Sequence, residues 1–456
     1  MLFNSWLFLG IFLPAILCIG LPLRGMARIL FLIVASFVFY SYSGLEHGAV
    51  LAASIVWVHL WTGRPDRPLT RWHVAAAALL PMGALVYYKY LGFVVTGILH
   101  PLGLTAIAIP AAADKVLPAG ISFFAFQLVS YAIDRQRGQI PQPERLPAFA
   151  LFISFFPQLV AGPILRHHDV AEGLKALPRW RLPAERLPEI ITLIAGGLFL
   201  KVVLADRIAA LIAPLAADLS HLSRPDSLFV LFGYSFQIYF DFYGYSLIAI
   251  GLGLIFGLRF PSNFRLPYAA ANPRDFWRRW HITLSYWIRD YLYLPLGGNR
   301  HYVRNIIIIF AVCGLWHGAG WNFVVWGLYH AMLVTGYHLL RQPWQNIPVR
   351  LQVFLTFLLV SAGWSLFLFD FADWAMFAGR LVGPAAGGEA VIGPWPWLLL
   401  AACLPVSMAV DVEALARRAC TAGRAGTMLW GAGAAGMIYA SLLYLDLSAA
   451  FIYFRF

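Results

Sequence analysis

Charge is what this sequence has least of. Asp, Glu, Lys and Arg make up 12% of its 456 residues, against about 25% in a soluble domain. Apolar residues make up 61%, where about 45–50% is usual. A soluble fold must still cover itself with polar groups, so lipid has to cover much of this one. Acids are scarcer than bases, 21 against 33, for a net charge of +12. In a soluble protein that excess points to nucleic acid. Here the bases sit in short connections between apolar runs, the positive-inside pattern of membrane proteins, and no nucleic-acid partner is expected. Cysteine is nearly absent. Cys18, Cys313, Cys403 and Cys420 show no metal or redox spacing, which argues against a disulfide scaffold or a cysteine metal site and leaves packing as their role. With no internal repeat and no long low-complexity linker, residues 1–456 read as a single domain.

What is abundant is apolar sequence. A spanning helix needs about 20 mostly apolar residues. Runs of that kind cover 2–23, 27–43, 48–62, 73–98, 118–134, 147–163, 189–205, 228–257, 305–319, 321–340, 351–371, 394–411 and 427–446. They predict an all-α polytopic membrane helix bundle with about 11–13 membrane segments, the short Gly- and Pro-containing ones being re-entrant or interfacial candidates. The first run has no basic stretch before it and no small-residue cleavage site after it, and reads as a spanning helix rather than a signal peptide. Arg24 and Arg28 follow the first run, and Arg64, Arg67 and Arg71 follow the third. Both clusters are expected on the cytoplasmic side, with the N-terminus outside.

Two stretches break the apolar pattern. Arg166 to Glu189 carries Arg166, His167, His168, Asp169, Glu172, Lys175 and Arg179, and predicts an extramembrane loop or short surface helices. Residues 258–304 hold eight arginines (259, 265, 274, 278, 279, 289, 300 and 304) against Asp275 and Asp290, interleaved with Trp277, Trp280, Tyr286, Trp287, Tyr291 and Tyr293. Arginine with aromatics is typical of a membrane interface, but the density exceeds what anchoring needs. The glycine-rich stretches 384–388 and 423–434 read as loop and small-residue helix.

Ionisable groups inside a membrane segment are costly and are functional candidates by default. His59, His73 and His338 fall near expected helix ends, where an interfacial histidine is cheap. His167 and His168 fall in the polar loop and read as solvated, while His330 lies deeper. Asp134 and Asp241 are lone acids beside apolar helices. For Asp241 the neighbouring tyrosines of Tyr239-Phe240-Asp241-Phe242-Tyr243 are expected hydrogen-bond partners. His317 closes the apolar run that begins at Ile306 and is followed by Gly318-Ala319-Gly320, where glycine allows close approach to the backbone. A histidine held away from water is neutral near pH 7 and suits a general base. Two readings stand at this point: a base for a hydroxyl, or a histidine held by hydrogen bonds for packing alone. His281, in Trp277-Arg278-Arg279-Trp280-His281, is either interfacial packing or a second polar group of the same pocket.

The motifs resemble those of the membrane-bound O-acyltransferase family, in its bacterial alginate O-acetyltransferase-like branch. The resemblance runs over nearly the whole chain. It rests on Tyr88-Lys89-Tyr90; Pro118-Ala119-Gly120-Ile121-Ser122 with Gln127, Tyr131 and Asp134; Phe155-Phe156-Pro157-Gln158 through Ala161-Gly162-Pro163; Pro261-Ser262-Asn263-Phe264; Asp275 through His281; Arg289-Asp290-Tyr291; Pro295-Leu296-Gly297-Gly298-Asn299-Arg300; Trp316-His317-Gly318; and Phe451-Ile452-Tyr453-Phe454.

The resemblance implies helices around a central tunnel, with His317 as the catalytic histidine and His281 as the second histidine of the site. It implies a cytoplasmic thioester donor, acetyl-coenzyme A, with no bound cofactor and no metal. Arg278, Arg279, Trp280 and Asn299 are the expected donor-binding residues, the arginines because coenzyme A is polyanionic. The implied product is an O-acetylated exported polysaccharide such as alginate or cellulose. Peptidoglycan acetylation and D-alanyl transfer to teichoic acid are the alternatives. A periplasmic acetyltransferase partner, a polysaccharide synthase complex, surrounding membrane lipid and a multi-pass location in the inner membrane complete the expectation. A transporter or a scaffold subunit of an export complex are the readings from other classes.

Overall fold

The computed structural model describes all residues except 64–67, 106–116, 161, 384–389, 448, 450 and 453–456. Arg64, Arg67, Ala161, the 384–388 glycine loop, Tyr453 and Phe454 lie outside the described residues. The protein is all-α, and the described residues contain no strand. Among the described residues, five helices are long and apolar enough to cross a membrane: Arg71–Leu99, Ala184–Ala217, Arg224–Ile255, Val349–Leu368 and Ala425–Leu443. A sixth span forms if Pro394–Ala409 and Val412–Ala419, bent by 64°, are one broken helix. The other apolar runs of the sequence fold as helices that are too short for that test, such as Phe8–Gly20 and Gly25–Ser41, or that carry Trp, Tyr, His and Gly, such as Trp321–Leu339.

The described chain forms two compact units, each assembled from three stretches. The first comprises Met1–Ile194, Tyr245–Ser262 and Ala416–Gly431; the second comprises Ala195–Gly244, Asn263–Leu415 and Ala432–Phe456.

In the first unit, Phe3, Phe8, Phe12, Phe39 and Phe156 pack as an aromatic cluster, for example Phe3 on Phe8 at 4.9 Å and Phe12 edge-on to Phe156 at 5.5 Å, geometries that ring quadrupoles favour. Arg28 is not a solvated topological charge. It is buried, and its guanidinium donates to the carbonyls of Leu177, Trp180 and Leu21 at 2.9, 2.7 and 2.8 Å. The polar stretch after Arg166 forms the helix His167–Ala176 and two short turns, but of its two histidines only His168 is exposed. His167 is buried, its Nε2 lies 3.0 Å from Glu144 Oε1, and its ring packs edge-on to Tyr131. That contact holds the Glu144 carboxyl below the ordinary carboxylate range.

In the second unit, the helices Tyr302–His317 and Trp321–Leu339 form an antiparallel-type pair joined by a three-residue turn. Two glycines set their spacing. A Cβ on Gly314 would lie 2.1 Å from the Phe323 carbonyl oxygen, and one on Gly327 would lie 2.1 Å from that of Phe310. The two helices therefore touch backbone to backbone at these points, and the last turn of the first helix carries His317. Behind this pair lies an aromatic core of Trp280, Trp326, Trp364, Phe276 and Tyr268, all buried.

Candidate active site

The arginine-rich stretch folds as a series of short pieces: the helices Pro273–Arg279 and Ile282–Ile288, the π-turn Arg289–Tyr293 and the 3-10 turn Gly298–His301. Asn272 starts the first of these, its side chain accepting from the Asp275 N–H at 2.8 Å, and Pro273 occupies the first helical position, where its missing N–H costs nothing. Together with Tyr302–His317, these pieces enclose a cavity of about 250 Å³.

The cavity has a polarity gradient. Arg274, Arg278, Arg289 and Asn299 line it and are exposed, while His281, Cys313 and His317 line it and are buried. Between them the wall is apolar, with Leu284, Ile306, Ile309 and Phe310. Arg289 is paired with Asp290 at 2.7 Å. Among the described residues, Arg274 and Arg278 have no carboxylate partner, so their charge is available to an anion.

His317 is 3% exposed. Its ring is enclosed by Trp316 at 4.8 Å, Trp326 at 5.0 Å and Phe367 at 5.2 Å. His281 adopts a left-handed backbone with φ 44°, a conformation that costs a non-glycine residue on the order of 1–3 kcal/mol and clusters at functional sites. Asn263 compensates. Its carbonyl accepts the Ile282 N–H at 2.9 Å, and its side-chain Oδ1 accepts from the Thr283 hydroxyl at 3.0 Å and the Thr283 N–H at 3.4 Å. A backbone N–H can only donate, so the Asn263 atom facing it is the acceptor oxygen. The same oxygen lies 3.0 Å from His281 Nδ1, so Nδ1 carries a proton. The neutral His281 ring then has its lone pair on Nε2. The other face of the ring is braced edge-on by Phe242 at 4.7 Å.

Of the sequence-expected site residues, the cavity brings together His317, His281, Arg278 and Asn299. Arg279 and Trp280 do not line it. One residue further along a helix turns a side chain by about 100°, and Arg279 pairs instead with Asp275 one turn back, at 3.0 Å. Trp280 is 1% exposed and packs at 4.8 Å from Trp364 and 5.1 Å from Phe264, within the aromatic core. His330 is fully buried beside Trp277 at 5.0 Å and does not line the cavity. The sequence reading gave no site role to Asn263 or Tyr302, placed Arg274 and Tyr293 only within a basic, aromatic stretch, and read Cys313 as a packing residue. Cys313 lies one helical turn before His317, a spacing that places both on one face, and Asn263 stood within a quoted motif.

The family model described as the membrane-bound O-acyltransferase family matches residues 84–369. The chain is 36% identical over 397 residues to a probable alginate O-acetylase of Azotobacter vinelandii, covering 83% of this chain and 77% of that protein. It is 34% identical over 410 residues to a peptidoglycan O-acetyltransferase of Helicobacter pylori, covering 80% and 77%. A teichoic acid D-alanyltransferase of Bacillus subtilis is 31% identical over 268 residues, covering 54% and 68%. The buried imidazoles, the basic mouth and the matched span agree with one another: the chain belongs to the membrane-bound O-acyltransferase family and is an integral membrane O-acyltransferase.

Proposed function

We propose that the protein takes an acetyl group from acetyl-coenzyme A at the cytoplasmic face of the inner membrane and passes it on for O-acetylation of an exported polysaccharide such as alginate. The observation that carries this reading is the gradient of one cavity, from unpaired arginines at its mouth to His317 and His281 at its depth. Arg274 and Arg278, with Asn299, hold the phosphates of the donor by charge and hydrogen bonds. The thioester end passes the apolar wall. His317 takes the proton of an acceptor hydroxyl, whose oxygen attacks the thioester carbonyl carbon. The C–S bond then breaks, and the coenzyme A thiolate takes the proton back from the imidazolium. His281, held in one tautomer by Asn263, positions the reacting groups. The immediate acceptor is a sugar hydroxyl or a hydroxyl of a periplasmic acetyltransferase partner working beside the polysaccharide synthase complex. Peptidoglycan is the second reading, supported by the near-equal identity to the Helicobacter pylori enzyme.

The test is release of free coenzyme A thiol by the purified protein in detergent, given acetyl-coenzyme A and an oligosaccharide acceptor. Arg278→Ala is expected to raise the donor KM about 10-fold, the loss of one charge-assisted contact, with kcat little changed and a shallower salt dependence. A transporter or scaffold releases no thiol, and that result would overturn the proposal. Asn263→Ala is expected to lower kcat about 100-fold through loss of ring orientation, while Asn263→Asp, which keeps the acceptor oxygen, retains more. Equal losses in the two variants would refute the orienting role.

A further inference from the structure

Lys201, Asp206 and Asp241 do not line the cavity, yet they form a buried group of charges in the second unit. They sit in the apolar helices Ala184–Ala217 and Arg224–Ile255, where ionisable side chains are costly and mark function. Lys201 Nζ is 2.7 Å from Asp206 Oδ1 and 2.6 Å from Asp241 Oδ1, and all three side chains are at most 4% exposed. The π-turn Phe199–Ala205 brings Lys201 and Asp206 together. The approach of the second helix is set at Gly244, where a Cβ would lie 2.6 Å from the Gly197 carbonyl oxygen and 3.0 Å from the Lys201 nitrogen.

One cation between two carboxylates leaves one negative charge over. The C-terminal segment meets it. Asp241 Oδ2 accepts the Ile452 N–H at 2.7 Å. Next to Asp206, Arg207 donates to the Leu447 carbonyl at 2.6 Å and lies over the Tyr444 ring. The neighbours of the two bonded residues also meet. Phe451, which is fully buried, packs at 5.7 Å from Phe242, and Phe242 is the ring that braces His281 at 4.7 Å. A cluster serving stability alone has no need of a backbone ligand from the chain end, since packed apolar residues often do as well.

We propose that Lys201, Asp206 and Asp241 are positioning residues: they dock the C-terminal segment so that Phe451 backs Phe242 and fixes the His281 ring on the cavity. The catalytic consequence rests on the function proposed above; the geometric one does not. The experiment uses the full chain in detergent. Ile452→Pro deletes the donated N–H and leaves the ion cluster intact, while Asp241→Asn alters the acceptor. Both are expected to speed amide hydrogen exchange over residues 445–452 by about 10–100-fold, to shift or broaden the His281 imidazole NMR signals, and to lower kcat by about 100-fold with the donor KM unchanged. The double variant is expected to be no worse than the worse single one, because both changes release the same contact. Phe451→Leu, which keeps the backbone bonds and most of the packing, must also move the His281 signals, and it covers the case in which the harsher variants fail to fold. A released segment with unchanged His281 signals overturns the proposal, as do additive losses or a loss confined to KM. If the wild-type protein transfers no acetyl group, the proposed function fails, and the exchange and imidazole signals still decide the positioning.

Discussion

Replacing His317 by alanine is expected to lower acyl transfer by about 10²–10⁴-fold, the usual worth of a positioned general base, with protein yield and melting temperature close to wild type. The side chain is enclosed by Trp316, Trp326 and Phe367 and lines the cavity shared with His281 and Arg278. A water left in its place would take the hydroxyl proton poorly. The measurement is thiol release at saturating donor, alongside acetyl content of polymer from cells that carry the variant. His317→Gln is expected to be as inactive, since an amide fills the space without accepting a proton. Full activity in either variant would remove His317 from the chemistry and return it to the packing role left open by sequence alone.

The second large effect lies away from the cavity and falls on stability. Lys201→Met is expected to leave Asp206 and Asp241, both nearly fully buried, facing each other without a cation. Removing one partner of a buried ion pair costs about 3–5 kcal/mol, a large part of a total that is usually about 5–15 kcal/mol. The yield of monodisperse protein in detergent and the melting temperature should both fall sharply. Adding Asp206→Leu and Asp241→Leu to the same chain is expected to recover most of the stability, because the uncompensated charges are then gone. A stable Lys201→Met protein would show that the three side chains do not form a charged cluster.

These two predictions differ in how far the sequence led to them. His317 stood at the end of an apolar run, flanked by glycines, and the motif set around it gave it a role; the cavity then placed His281, Arg278 and Asn299 beside it. Arg279 and Trp280 do not line the cavity, because adjacency in sequence is not adjacency on a helix: one turns back to Asp275 and the other into the core. Lys201 drew no attention inside its apolar run. It is five residues from Asp206, a spacing that an α-helix does not place on one face, and only the π-turn brings the two together. Asp241 was expected to bond to neighbouring tyrosines, but its partners are Lys201 and the Ile452 N–H, 211 residues away. No local pattern reports such a distant partner. The helical class was legible from composition, since apolar runs of about 20 residues recur along the chain.

The contact between the helices Tyr302–His317 and Trp321–Leu339 bears on how this protein can change over generations. At Gly314 and Gly327 any side chain begins with an atom inside a carbonyl oxygen of the opposing helix. A substitution at either position cannot be absorbed by a neighbouring rotamer, because the obstacle is main chain. Neither site can drift by single steps, and a compensating change elsewhere would have to part the two helices and carry His317 with them. If the cavity is the acyl-transfer site proposed above, variation in what it accepts enters through its walls, where side chains meet side chains, rather than through the joint at Gly314 and Gly327.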